Sequence, residues 1–160
     1  MTRNPRFITD ASLAGLARWL RLLGFDSLVY GSEAGRPMMR QAQMQERILL
    51  TRRRDLLERQ FSGEMLLLPE GHVNAQLRFV IRKLSLEISE KKMYTLCLGC
   101  NETLQPLEKT DVRDLVPQFV YDTCDHFNQC PRCRKVYWRG SHARNALGFL
   151  EDNKIAVHGE

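Results

Sequence analysis

"RFITDASLAGLARWLRLLGFDSLVY", residues 6–30, changes its hydrophobic period twice. Residues 6–9 form a short strand-like run ending at Asp10. From Ala11 the period lengthens, so that Leu13, Leu16, Ala17, Leu20 and Leu23 fall on one helical face, and Gly24 stops the helix. "SLVY" (27–30) is strand-like again. The alternation then continues. "GSEAGRP" (31–37) is a loop whose Pro37 suits the first turn of a helix over Met38–Gln45. "RILLT" (47–51) is a buried strand, residues 53–60 are helical, and "EMLLL" (64–68) is a fourth strand. Residues 73–84 make a longer helix with Leu77, Val80, Ile81 and Leu84 facing inward. This order predicts an α/β fold, a mostly parallel sheet flanked by helices.

The tail differs in kind. Four of the five cysteines lie there, and the regular alternation stops. The expected division is an α/β domain over residues 1–92 and a metal-binding ribbon with a C-terminal helix over residues 93–160. No run approaches the ~18 apolar residues of a membrane span. The start, "MTRNPRFITD", lacks an apolar signal region, so a cytoplasmic protein is expected. The net charge of +5 is uneven: residues 1–92 carry 16 Lys+Arg against 10 Asp+Glu, and residues 93–160 carry 8 against 9. The excess is mostly arginine, whose planar donor fork suits phosphate, although a solvated surface accounts for a modest charge equally well.

"CLGC" places Cys97 and Cys100, and "CPRC" places Cys130 and Cys133, each pair with two intervening residues. Two such turns supply four thiolates for tetrahedral zinc. A fully thiolate shell leaves no position for water, so the zinc is expected to be structural, folding a segment too short to build its own core. Cys124 is left as a small buried or free thiol, and His126 is a spare ligand type. The sequence after the second pair interleaves cations and aromatics: Arg134, Lys135, Tyr137, Trp138, Arg139 and His142. That mixture fits base stacking and phosphate binding, and it fits packing of the ribbon on the first domain as well.

The helix segment "LARWLRLLGFD" with "RILLTRRRDLL", "CLGCNETL" and "CPRCRKVYWRGSH" resembles the mutator-seven C-terminal RNase family, a PIN-like nuclease domain followed by a zinc ribbon. The resemblance spans Arg6 to Leu147. It implies acidic residues at the carboxyl ends of parallel strands, holding magnesium or manganese that activates water and neutralises a scissile phosphate. Asp10 matches the family's opening aspartate. The second acid is expected at residues 35–36, where Gly35 and Arg36 stand, and the third at Arg53. A guanidinium there repels a cation and has no lone pair to donate. Arg53 is expected to pair with Asp10 or with a phosphate.

Three functions follow. The first is an RNA-binding protein of ribonuclease ancestry with impaired or lost cleavage. Arg18, Arg21, Arg52, Arg53 and Arg54 would grip RNA, with Arg134, Lys135, Tyr137, Trp138 and His142 as a second contact region. The second is a magnesium- or manganese-dependent endoribonuclease using Asp10, Glu33 and Asp55. The third is a zinc-stapled scaffold for a protein partner.

Overall fold

The computed structural model describes residues 4–159, and of Ser141 and His142 the backbone alone. Strand β1 (Phe7–Thr9) has β2 (Ser27–Val29) on one side and β3 (Ile48–Thr51) on the other. Ile8 stands opposite Leu28 in β2 and Leu49 in β3. Strand β4 (Met65–Leu67) adds beyond β3, giving the order β2-β1-β3-β4 with every pairing parallel. The continuous apolar runs have their cause here, because strands covered on both faces have no side to leave polar.

Alternate residues serve the two faces. Phe7, Ile48 and Leu50 point to one core, where they meet helix α1 (Ala14–Leu22) and helix α3 (Val73–Lys83) through Leu16, Leu20 and Leu77. Ile8 and Leu49 point to the other, against Met38, Met39 and Ala42 of helix α2 (Arg36–Met44). Pro37 does sit in the first turn of α2. The helix expected over residues 53–60 is instead a short 3-10 turn, Arg54–Glu58. Leu56 there is fully buried while Leu57 is half exposed, so this segment has no apolar stripe to hold a longer helix down.

The tail forms an antiparallel sheet, β6 (Gln105–Leu107), β7 (Phe127–Gln129) and β8 (Val136–Trp138), in the order β6-β7-β8. The excursion between the cysteine pairs carries helix α4 (Gln118–Thr123) and a small core of Val112, Val120 and Phe127. Helix α5 (Ser141–Asp152) then leaves this sheet, and Leu150 and Ile155 enter the core of the parallel sheet. The Trp19 and Phe149 rings stack at 4.3 Å. Strand β5 (Ile88–Ser89) pairs in parallel with β9 (Val157–His158), so the last described strand also returns to the α/β unit. Among the described residues no helix is long and apolar enough to cross a membrane.

The two sheets meet at the end of α1. Gly24 (φ +93°) closes that helix: the Gly24 amide donates to the Arg21 carbonyl and the Phe25 amide to that of Leu20. A Cβ at Gly24 would stand 2.3 Å from the Lys92 carbonyl oxygen, so only glycine admits the incoming connector. The Tyr94 amide then caps the Leu22 carbonyl at 3.0 Å. Arg21, expected on the polar side of α1 as part of a basic surface, is only 7% exposed. Its Nε donates to the Ser27 carbonyl and its Nη1 to the Leu98 carbonyl, so it joins β2 to the first cysteine turn. Burial lowers its pKa, and those two carbonyls satisfy the charged fork. Asn101 completes the junction. Its Oδ1 accepts from the Ser27 amide at 2.9 Å, and its Nδ2 donates to Asp26 at 2.6 Å, where Arg47 also donates at 2.7 Å.

Asn101→Ala leaves the Ser27 amide without its acceptor and forces alanine to φ 64°. It is expected to cost about 1–3 kcal/mol, read from urea denaturation of metal-loaded protein. Burial acts to raise the pKa of Asp26, and the hydrogen bonds from Arg47 and Asn101 outweigh it, so the net shift is downward. A carboxyl depressed in the folded state stabilises above its unfolded pKa of about 4, and that contribution is lost as pH falls through the lower folded value. Asp26→Asn is therefore expected to flatten this acid dependence of the urea midpoint relative to the parent.

Candidate functional site

The strand order places β2 and β3 on opposite sides of β1, and the chain leaves neighbouring strands in opposite directions there. Crevices open at such points, outside the carboxyl ends of the strands. Here an open cleft of about 1040 Å³ lies beyond β1 and β3. Asp10 enters it directly after β1, and Arg52 and Arg53 directly after β3. Glu33 comes from the loop after β2, and Glu70 from the segment after β4.

Each side chain has a definite task in this cleft. Asp10 caps the 3-10 turn that precedes α1: its Oδ1 accepts from the Ser12 amide at 2.9 Å and from Ser12 Oγ at 2.5 Å. Arg53 does not pair with Asp10, as the sequence suggested. Its Nε and Nη2 form a fork on the two oxygens of Asp55, at 3.1 and 2.6 Å, and its Nη1 donates to the Ala34 carbonyl at 2.7 Å. The geometry is local. The Arg53 amide donates to Thr51 Oγ1, and Arg53 is the last extended residue before the 3-10 turn, which brings Asp55 back under its own guanidinium. The hydrogen bond from Arg53 holds the Asp55 carboxyl below its ordinary range, and Arg59 adds to this from 3.7 Å. In turn Asp55 raises the pKa of Arg53, with smaller contributions from Asp10 and Glu33 across the cleft.

The expected acids are thus divided. Asp10 and Glu33 share the cleft, while both oxygens of Asp55 are bound by Arg53. Glu70 was missed by the sequence reading. It follows Pro69 beyond a strand, in a stretch with no motif around it, and only the parallel pairing of β4 with β3 carries it to the cleft. Arg54 is exposed on the 3-10 turn but does not line the cleft.

The cysteines form a second centre. The four sulfurs of Cys97, Cys100, Cys130 and Cys133 lie within 4.8 Å of one another. The Cys97 and Cys133 sulfurs are 3.7 Å apart, close to the ~3.8 Å edge of a tetrahedron with metal–sulfur bonds of ~2.3 Å. Both turns are built alike. The Asn101 amide donates to the Cys97 carbonyl and the Arg134 amide to that of Cys130, and Asn101 and Arg134 both have left-handed backbones, φ 64° and 68°. The Arg132 and Cys133 amides point at Cys130 Sγ, each at 3.4 Å. Tyr137 Oη lies 3.2 Å from Cys97 Sγ and accepts from the Leu98 amide. Burial acts against ionisation of Cys97, yet the Tyr137 hydroxyl and the amides of Cys100 and Gly99 bring its thiol down to about 6. Cys100 moves the other way, pushed up to about 12 by burial and the neighbouring thiols. A divalent metal held by the four sulfurs would bind them as thiolates. Among the described residues no other group of three or more His, Cys, Asp or Glu ligand atoms converges to hold a metal ion, so Asp10, Glu33 and Glu70 stay apart.

Cys124 is a half-buried free thiol with its sulfur 3.7 Å from the Arg139 carbonyl oxygen, outside the cluster, as is His126. Arg18 is exposed on α1, Lys135 lies over the Tyr137 ring at 5.4 Å, and Trp138 packs partly into the small ribbon core. The side chain of His142 lies outside the described residues.

The chain thus joins a parallel α/β sheet with a charged strand-end cleft to a small sheet carrying a four-thiol cluster able to hold a metal ion. The chain belongs to the family described as the Mut7-C RNAse domain, whose model matches residues 5–150. No curated protein and no solved structure matches it.

Purified protein is expected to carry about one equivalent of tightly bound metal, measured by elemental analysis. Cys130→Ser is expected to lose that metal together with the protection of the Phe127 and Val136 amides in hydrogen exchange.

Proposed function

We propose that this chain is an RNA-binding protein of the ribonuclease family in which metal-dependent cleavage is impaired, with zinc in the four-thiol cluster as a structural ion. The observation that carries this reading is the fork of Arg53 on Asp55 and Ala34 at the cleft, beside Asp10 and Glu33. A divalent cation held by Asp10 would face a fixed guanidinium charge, and hard oxygen ligands on the β3 side are taken up by that same guanidinium. The fork also braces the loop before α2 against the turn after β3. RNA as the partner is supported by the ribonuclease family and by the arginine-rich charge of the first part of the chain.

One observation favours a working enzyme. Glu70 adds a third carboxylate to the cleft, so the acids of that reading are Asp10, Glu33 and Glu70, with Asp55 withdrawn. Incubation of zinc-loaded protein with structured RNA and manganese separates the two. The proposal expects binding without cleavage, and Asp10→Asn no different from the parent. Manganese-dependent cleavage abolished by Asp10→Asn would overturn it. Arg53→Asp removes the fork and restores a carboxylate after β3, and it is expected to raise manganese-dependent cleavage above the parent in the same assay.

A further inference from the structure

Two pockets flank Tyr94, where the α/β unit passes into the ribbon. The larger, about 590 Å³, has Trp19, Phe149 and Arg18 on one wall and Lys135, Tyr137 and Trp138 on the other. The smaller, about 340 Å³, shares Tyr94, Tyr137 and Trp138 and adds Lys91, His126 and Arg139. Together they make one groove along β8, within the ~300–1,000 Å³ of small-ligand sites. No Asp or Glu lines either pocket, whereas Arg18, Lys91, Lys135 and Arg139 do. The strand-end cleft is the opposite case, with Asp10, Glu33 and Glu70 against Arg52 and Arg53. A polyanion is thus better matched by the groove than by the cleft.

The aromatic content indicates what kind of polyanion. Both tryptophans of the chain line the larger pocket. Cations and rings interleave along the groove: Lys135 lies over Tyr137 at 5.4 Å and Arg139 over Tyr94 at 5.6 Å. Exposed rings and guanidinium planes serve as stacking platforms for unpaired bases, and neighbouring cations meet phosphates. A duplex keeps its bases inside its own stack and has no use for such walls.

Tyr94 supplies a third, separate indication. It adopts φ 62°, a conformation costly for a bulky side chain, and its buried hydroxyl has no hydrogen-bond partner. A strained backbone and an orphan polar atom on the one residue that the connector brings to both pockets are what a ligand site can hold in place.

We infer that single-stranded RNA binds in this groove, its bases against the aromatic walls and its phosphates on Arg18, Lys135 and Arg139. This rests on the RNA-binding reading above and assigns the contact to the junction of the two sheets instead of to the strand-end cleft.

The test is a tryptophan-fluorescence titration of zinc-loaded full chain with an unstructured RNA of about 12 nucleotides. Saturable quenching is expected, because both indoles line the groove. Lys135→Glu with Arg139→Glu is expected to weaken binding at least about tenfold. Arg40→Glu with Lys83→Glu, the same charge change on exposed positions of α2 and α3 outside both sites, is expected to leave it within about twofold. Metal content and circular dichroism check the fold, and Arg18→Glu on the exposed side of α1 serves if the ribbon variant fails to fold. Equal weakening by both charge-reversed pairs, or RNA binding without quenching and indifferent to the groove variants, would overturn this inference and leave the RNA-binding reading standing. No RNA binding at all, even at low salt, would overturn both.

Discussion

The junction at the end of α1 is the constraint on which the rest of the molecule depends. Arg21 reaches from that helix to the first cysteine turn, and Asn101 reaches back from the turn to β2 and Asp26. Few alternatives fit either position: Arg21 is buried with Nε and Nη1 donating to two carbonyls, and Asn101 takes a left-handed conformation that asparagine tolerates. The four-cysteine cluster is therefore part of the tertiary structure of the α/β unit as well as of the fold of the ribbon. Loss of the metal would loosen Leu98 and Asn101 and with them the seat of β2.

The strand-end cleft shows how a short-range ion pair shapes the charge of a crevice. The parallel sheet still delivers the chain ends to one crevice, and Asp10 still opens it. The residue after Thr51–Arg52 is a cation, and the turn that follows supplies its partner within two residues. A short-range ion pair of this kind is exposed and contributes little to stability. Its consequence is chemical: the fork occupies both Asp55 oxygens and adds fixed positive charge to the cleft, which on the function proposed above disfavours a hard divalent ion. The cleft sets acids against cations, whereas the groove beside the ribbon has cations as its only charged lining.

Much of this was legible in the chain itself. The period changes over residues 6–30 and the apolar run at 47–51 marked the strands and helices that form, since strands covered on both faces need unbroken hydrophobic segments. The paired cysteines marked their cluster for the equally local reason that two intervening residues make a metal-sized turn. What was not legible depended on contacts between distant segments. Arg21 looked like a surface cation because helical periodicity cannot see a partner 77 positions away, the Leu98 carbonyl. Glu70 had no motif to announce it and reached the cleft only through strand pairing. The return of α5 to the first core, and the meeting of Trp19 with Phe149, likewise follow from topology, which no local pattern encodes.

The central claim is that Arg53 closes the cleft to divalent metal. Electron paramagnetic resonance of manganese added to zinc-loaded protein tests it directly, because bound and free manganese give different signals. The account predicts that the parent protein leaves the free-ion signal unchanged at millimolar manganese and that Arg53→Asp removes part of it. Stoichiometric manganese binding by the parent protein, lost in Asp10→Asn, would contradict it.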